Sequence, residues 1–159
     1  MLRTDKQLST SEIISKYGQP GDNQEYCILP YAMTLAWDKS VSITKFSCHK
    51  LFKPVIQTIL NDTLYIYGKD NIKSLGLDVF GGCLNIRPMK GSTRLSTHSW
   101  GVAVDLDPIN NQLNWGKDKA KFAAKEYDSF WNTIEKHGCY SLGRIKNYDW
   151  MHFQLLPVG

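Results

Sequence analysis

The sequence predicts an α+β fold in which one domain contains an antiparallel sheet flanked by helices. Three observations lead to this prediction. Apolar segments with strand-like and helix-like spacing do not alternate strictly, as they would in an α/β protein. Glycines and short apolar alternations dominate residues 79–107. No repeat, linker or second domain interrupts residues 1–159, a length that can bury a substantial core as one domain.

The N-terminal part of the chain predicts one helix followed by two strands. Residues 9–12, with the sequence Ser-Thr-Ser-Glu, form the pattern of a capping box. The helix that begins there is expected to end at Gly18, since glycine readily adopts the conformation that closes a helix. Short strands are expected at residues 26–29 and 41–46, where apolar and β-branched residues cluster.

A longer helix is predicted to follow. Pro54 can occupy its first turn because the N–H group that proline lacks is unpaired there anyway. Apolar residues then follow helical spacing as far as Gly68, and residues 70–75 can form one or two further turns. The next element is a predicted strand at residues 80–86.

The C-terminal part predicts a strand, a helix and a closing strand. In the strand at residues 101–107 the valines face one side while Ala103 and both aspartates face the other. A helical stripe of aromatic and aliphatic side chains covers residues 127–134 and stops at Gly138. The final strand is expected at residues 151–156.

Composition excludes several classes of protein. The net charge of +4 is mild and no dense basic run is present, so we expect no binding of nucleic acid. No apolar run approaches the length of a membrane span, so we expect no membrane insertion. The N-terminus lacks the apolar core of a secretory signal, and synthesis in a cytoplasm is therefore expected.

Four cysteines are widely spaced, at positions 27, 48, 83 and 139. No Cys-x-x-Cys pair occurs among them, which excludes a zinc ribbon. We expect reduced thiols that pack in the core, because disulfides are rare in proteins that stay in a reducing compartment.

Two segments carry the residue types of a catalytic metal site. One near the middle of the chain contains His98 and Asp105, and one near the C-terminus contains Asp149 and His152. Two imidazoles and one carboxylate make three protein ligands, and a catalytic zinc site commonly has three and keeps a further position for water. Asp149 is then available to transfer protons.

The two residues of the first segment can share a metal ion only if the chain turns between them. His98 and Asp105 are seven residues apart and would face opposite sides of one straight strand. Gly101 is placed to permit the turn. Asp107 faces the same side as Asp105 and is the rival ligand, although its position before Pro108 favours a turn.

The second segment divides between a loop and a strand. Asp149 is expected on the approach loop, with His152 inside the strand. Alternation along that strand places Gln154 beside His152 facing the site, and Phe153 facing the core. An alternative role for Asp149 is to orient the imidazole of His152 rather than to transfer protons.

The combined pattern Ser-x-His-x-x-Gly-x-Ala-x-Asp and Asp-x-x-His resembles a family of zinc peptidases. That family includes D-alanyl-D-alanine carboxypeptidases, vancomycin-resistance dipeptidases and phage L-alanyl-D-glutamate endopeptidases, and the hedgehog signalling domain shares its fold. The zinc motifs lie within residues 81–156. Upstream, residues 29–31 and 35–38 also resemble the phage and prophage branch.

The resemblance implies a role for each matching residue. It places the zinc site on the face of the sheet and identifies Asp149 as the general base. Arg87 matches an arginine that binds substrate near the scissile carbonyl, with an ordinary ion pair or Arg94 as alternatives. The remaining matches are the zinc ligands His98, Asp105 and His152 and the orienting Ser96. Trp100 and Trp150 lie within the motifs and are therefore expected to line the cleft.

These matches imply a zinc metallopeptidase that hydrolyses peptide bonds in the stem peptides of peptidoglycan. An endolysin of the L-alanyl-D-glutamate endopeptidase type is the first expectation, and a D-Ala-D-Ala carboxypeptidase or dipeptidase is the alternative. Both stay open because residues 141–144 replace a tryptophan-glycine-glycine turn of some endolysins. A non-catalytic zinc-bearing binding module is a further alternative. We expect a monomer held in the host cytoplasm, which reaches the cell wall through a holin-like pore.

Overall fold

A computed structural model describes residues 5–159 of the chain. Within these residues, four α-helices and six strands form a single α+β domain, as the sequence predicts. The helices are α1 (Thr10–Tyr17), α2 (Lys53–Leu75), α3 (Asp128–Lys136) and α4 (Leu142–Lys146). The strands are β1 (Gln24–Leu35), β2 (Asp38–His49), β3 (Val79–Gly82), β4 (Ala103–Leu106), β5 (Tyr140–Ser141) and β6 (His152–Gln154). Over these residues, none of the helices combines the length and the apolar character that a membrane span requires.

All six strands join one sheet in the order β2-β1-β3-β4-β6-β5. The expected antiparallel pairing has one exception, because β3 runs parallel to β1 with Val79 opposite Thr34. Helix α2 packs on β1 and returns the chain to the C-terminal end of that strand, where β3 begins in the same direction. The sheet is therefore mixed, with the other neighbouring strands antiparallel.

The predicted capping box is confirmed at the start of α1. The Ser9 hydroxyl accepts a hydrogen bond from the Glu12 backbone N–H at 3.2 Å, and the Glu12 carboxylate accepts one from the Ser9 N–H at 3.0 Å. Gly18 ends the helix with a φ of 89°. The buried face of α1 consists of Ile13 and Tyr17, which pack into the core.

Two elements are longer than the sequence pattern indicates. Helix α2 does not end at Gly68 but continues through a kink there, where φ is 76°, so the further turns predicted at residues 70–75 belong to the same helix. Strand β1 extends far beyond residues 26–29. Its pairing with β2 shifts register between Ile28 and Met33, and Pro30 lies within that irregularity. A proline is tolerated at such a bulge, although it interrupts the strand pattern in the sequence.

The core lies between the sheet and the helices and fixes β6 from one side. Phe153 makes edge-on aromatic contacts with Phe52, just before α2, and with Phe130 of α3. This confirms that Phe153 faces the core. All four cysteines are buried, as expected. The predicted strand at 80–86 is shorter than expected, because β3 ends at Gly82.

Candidate metal centre

The turn between His98 and Asp105 is formed by a short 3₁₀ helix, Thr97–Trp100. The Ser96 hydroxyl caps it by accepting a hydrogen bond from the His98 backbone N–H at 3.2 Å. Gly101 then adopts a left-handed conformation with a φ of 67°. The chain reverses at the glycine where the sequence analysis expects a turn, and β4 carries Asp105 back beneath His98.

Substitution of Gly101 by alanine is expected to destabilise this turn. A Cβ atom there would lie 2.5 Å from the Gln24 Oε1 atom and 3.0 Å from the backbone nitrogen of His49. The left-handed conformation alone costs a non-glycine residue about 1–2 kcal/mol. Gly91 is a matched control, since its φ is 76° and no heavy atom of the described chain lies within 4 Å of its Cβ position. Urea unfolding should show a larger loss of unfolding free energy for Gly101→Ala than for Gly91→Ala; equal losses would contradict the steric explanation.

Antiparallel pairing of β4 with β6 brings the two sequence segments together. Asp105 lies directly opposite His152 in the strand register. One ligand atom each from His98, Asp105 and His152 lies within 4.8 Å of the other two. The side chains are 4%, 16% and 7% exposed, respectively. All three expected ligands thus converge on one face of the sheet.

The imidazole of His98 presents an unpaired nitrogen to this cluster. Its Nδ1 atom lies 2.8 Å from the Cys83 carbonyl oxygen, which can only accept, so Nδ1 carries the proton. The Nε2 lone pair therefore faces Asp105, 3.1 Å from its Oδ2 atom. Among the described residues this buried Nε2 has no hydrogen-bond partner. A buried polar atom without a partner is costly, and a cation between Nε2 and Asp105 would satisfy it.

His152 faces Asp105 through its other nitrogen. Its Nδ1 atom lies 2.9 Å from the Asp105 Oδ1 atom, while its Nε2 atom lies 2.8 Å from the Gln154 side-chain oxygen. Burial lowers the pKa of His152, but the hydrogen bond and charge of Asp105 outweigh burial and raise it to about 9. Burial also opposes ionisation of Asp105, yet the two imidazoles hold its pKa well below the ordinary value.

Two imidazole nitrogens around an ionised carboxylate fit a divalent cation. The nitrogen and oxygen donors are those that zinc binds in catalytic sites. Asp107, the rival ligand, lies outside the cluster. Its carboxylate instead accepts hydrogen bonds from Asn110 at 3.0 and 3.1 Å, in the turn that Pro108 begins.

Asp149 lies beside the cluster on the approach loop, as predicted. Its backbone has a φ of 53° and is held by a hydrogen bond from its N–H to the Leu113 carbonyl at 2.8 Å. Burial raises the pKa of Asp149 to about 6, although the His152 imidazole partly opposes this. Its Oδ2 atom is 3.8 Å from the His152 Nδ1 atom, too far for a hydrogen bond. This distance disfavours the alternative in which Asp149 orients His152.

A cavity of about 460 Å³ opens above these residues. The three candidate ligands, Asp149 and Ser96 line this cavity. Four cationic side chains line it as well: Arg87, Lys90, Arg94 and Lys146. The sequence motifs point to neither Lys90 nor Lys146, since both lie outside them. Four cationic side chains around one cavity favour a ligand that carries carboxylates of its own.

The two tryptophans of the motifs do not line this cavity, which corrects the expectation from the sequence. Trp100 is 1% exposed, and its indole N–H donates to the Gly18 carbonyl at 2.9 Å. Trp150 packs against Trp131 and against the backbone of Gly143 on the other side of the loop. Both side chains support the site from the core.

Comparison with known protein families gives a match in the C-terminal part of the chain. Residues 90–155 match the profile of a peptidase family described as D-alanyl-D-alanine carboxypeptidase. The matched part is less than half of the chain; it contains the metal cluster and Asp149, and it excludes Arg87. No curated protein and no solved structure matches the chain. The match supports, at the level of the family, a zinc peptidase that acts on peptidoglycan peptides.

Proposed function

We propose that this protein is a zinc metallopeptidase that hydrolyses a peptide bond in the stem peptide of peptidoglycan. The observation that carries the proposal is the convergence of His98, Asp105 and His152 at the floor of a cavity, with Asp149 beside them. Three protein ligands leave a position for water, which is typical of catalytic zinc. The family match over residues 90–155 supports the same class of reaction.

The ion and the side chains have separate tasks in this mechanism. His98, Asp105 and His152 would hold the zinc ion, and a bound zinc ion would supply a Lewis acid for the carbonyl of the scissile bond and a water whose pKa is lowered toward about 7. Asp149 accepts the proton of the attacking water on its carboxylate and later donates it to the leaving amine. Arg87, on the cavity wall, contributes a fixed positive charge that favours the negative oxygen developing at the attacked carbonyl.

The proposal also specifies which bond of the stem peptide is cleaved and the biological setting in which the protein acts. We favour an endolysin of the L-alanyl-D-glutamate endopeptidase type, because residues 29–31 and 35–38 resemble the phage branch. The family description favours the alternative, a D-Ala-D-Ala carboxypeptidase or dipeptidase. In the endolysin setting, the protein acts as a monomer on the cell wall after a holin-like pore releases it from the host cytoplasm.

Mass spectrometry of purified muropeptides after digestion tests this proposal. Cleavage between L-alanine and D-glutamate would establish the endopeptidase. Loss of only a terminal D-alanine would establish the carboxypeptidase instead. Unchanged muropeptides, with zinc bound to the protein, would contradict the peptidase and favour the non-catalytic binding module.

Arg87 and Arg94 are expected to respond differently to substitution by alanine. The Arg94 guanidinium donates to the Leu8 carbonyl and holds the N-terminal segment against the cavity. Among residues 5–159, the Arg87 guanidinium makes only a long hydrogen bond of 3.4 Å to the adjacent Pro88 carbonyl, so most of its donors are available to substrate. A charged hydrogen bond contributes about 1.5–3 kcal/mol, so Arg87→Ala should lower kcat/KM by roughly 10–100-fold.

The matched variant Arg94→Ala should leave kcat/KM close to that of the unmodified protein. Its main effect should be a lower unfolding temperature, since it removes a contact between segments distant in sequence. Steady-state kinetics on one muropeptide, combined with thermal unfolding, would distinguish the two roles. The reverse ranking of the two variants in kcat/KM would assign the anion-binding role to Arg94.

Activity is expected to fall in acid with an apparent pKa at or below about 6. Burial raises the pKa of the Asp149 carboxyl group to about 6. That group accepts a proton only in its ionised form, so kcat/KM rises with pH through this pKa and is lost below it. A cation held beside Asp149 favours the ionised carboxylate and therefore moves the acid side of the pH–activity profile to lower pH. The profile should be measured at saturating zinc, and an acid limb well above pH 6 would contradict the assignment.

A further inference from the structure

Gln154 lies at a rigid position beside the metal cluster. Its strand, β6, is paired on both sides, so that Gln154 is opposite Ala103 of β4 and Tyr140 of β5. Side chains two residues apart on a strand face the same side, which places Gln154 next to His152. The residue is 5% exposed, although its side chain is polar.

The orientation of the Gln154 amide is fixed by its hydrogen bonds. Its Nε2 group donates to the Leu156 carbonyl oxygen at 2.8 Å, so the Oε1 atom must point the other way. That oxygen lies 2.8 Å from the His152 Nε2 atom and accepts a second hydrogen bond from the Thr97 hydroxyl at 3.1 Å. Because Oε1 can only accept, the His152 Nε2 atom is held in its protonated form.

We propose that Gln154 is a positioning residue that selects the nitrogen through which His152 binds the metal ion. With the proton held on Nε2, the lone pair of a neutral His152 is on Nδ1, the atom that faces Asp105 at 2.9 Å. The inference rests on the metal site of the proposed function. It goes further because Gln154 is neither a metal ligand nor one of the two residues, Asp149 and Arg87, to which the proposed mechanism gives a role.

The two histidines of the site are oriented in opposite senses. A backbone carbonyl, that of Cys83, holds the proton of His98 on Nδ1 and leaves Nε2 for the metal ion. A side-chain amide, that of Gln154, holds the proton of His152 on Nε2 and leaves Nδ1. No substitution of a side chain removes the Cys83 carbonyl, whereas Gln154 can be replaced, so His98 serves as an internal reference.

Zinc affinity of two variants tests the inference without reference to catalysis. Gln154→Leu removes the acceptor and should weaken zinc binding by about 10–100-fold, the range typical of groups that orient a ligand. Gln154→Glu keeps an acceptor for the His152 N–H but loses the hydrogen bond to the Leu156 carbonyl, so it should bind zinc more tightly than Gln154→Leu does. Competition with a chromophoric chelator measures these affinities, and circular dichroism with thermal unfolding of the metal-free variants checks that each one folds.

Nitrogen-15 NMR of the zinc-loaded protein supplies a second measurement. The unmodified protein should show one histidine bound through Nε2 and one bound through Nδ1, and in Gln154→Leu only the second pattern should be lost. Unchanged zinc affinity and spectra in Gln154→Leu would overturn the role of Gln154 alone. Equal weakening in Gln154→Glu and Gln154→Leu would also overturn it. Failure of the unmodified protein to bind zinc would instead overturn the metal site, and this inference with it.

Discussion

Replacement of Asp149 by asparagine is expected to abolish measurable hydrolysis while zinc remains bound. Asparagine has nearly the same shape but cannot accept a proton, so the loss should approach the contribution of general acid–base catalysis, about 10²–10⁴-fold in kcat. The ligand atoms of the metal cluster come from three other residues, so zinc affinity should change little. The Asp149 Oδ2 atom is 3.8 Å from the His152 Nδ1 atom, so the substitution removes no hydrogen bond that orients this ligand, and zinc affinity should again change little.

Asparagine is a better replacement than alanine at this position. Asp149 has a φ of 53°, in the left-handed region that asparagine and aspartate tolerate far better than other non-glycine residues. Asp149→Ala should therefore also abolish cleavage, but with an added loss of stability from backbone strain. Comparison of the two variants separates the chemical effect from the conformational one.

The measurement combines steady-state kinetics on muropeptides with zinc analysis of each purified variant. Asp118 is exposed and lies outside the cavity, so Asp118→Asn is a matched control that should retain full activity. Unchanged hydrolysis of muropeptides by Asp149→Asn would contradict the role of Asp149 as the general base. Loss of zinc from that variant would instead show that Asp149 acts on the ligands and not on the proton.

Local signals in the sequence account for much of the fold. The capping box at residues 9–12 and the turn at Gly101 are recognisable because each depends on a few adjacent residues with restricted backbone preferences. The parallel pairing of β1 with β3 has no such signal. It depends on where α2 returns the chain, 23 helical residues later, and local patterning does not encode that position.

Some features of the candidate site could likewise be predicted from local sequence signals, and others could not. Spacing and alternation placed Asp105, His152 and Gln154 on the correct side of their strands, because side chains alternate with a fixed period. The side that Trp100 faces could not be predicted, since it lies in a 3₁₀ helix where strand alternation does not apply. The Cys83 carbonyl that orients His98 was also missed, because a backbone acceptor has no signature in the sequence.

Removal of zinc is expected to abolish activity and to lower the thermal stability of the protein. Without the cation, His98 Nε2 is buried without a hydrogen-bond partner in the described structure, beside the carboxylate of Asp105. A ligand present at a thousandfold excess over its Kd stabilises the folded state by about 4 kcal/mol. For a domain of this size each kcal/mol corresponds to about 2–4 °C in Tm, so a shift of about 8–16 °C is expected between chelated and zinc-saturated protein.

The effect of zinc on Tm should also weaken as the pH falls. Metal binding must displace the proton from His152 Nδ1. The interaction with Asp105 raises the pKa of His152 to about 9, so this proton is held firmly. Protons therefore compete with zinc throughout the range below that pKa, and the competition grows with acidity. Calorimetry of chelated and zinc-saturated protein at several pH values measures this, and a zinc-dependent shift in Tm that does not vary with pH would contradict it.

Histidine substitutions give the matched comparison for zinc removal. His98→Ala should lose both zinc and activity, and added zinc should not restore either. His137 lies outside the cavity, with its Nε2 atom 2.7 Å from an Asp62 carboxylate oxygen, so His137→Ala should keep zinc and activity. Retention of activity after exhaustive chelation would contradict the metal mechanism. Asp149 and Arg87 alone cannot supply the positive charge of a divalent cation at the attacked carbonyl.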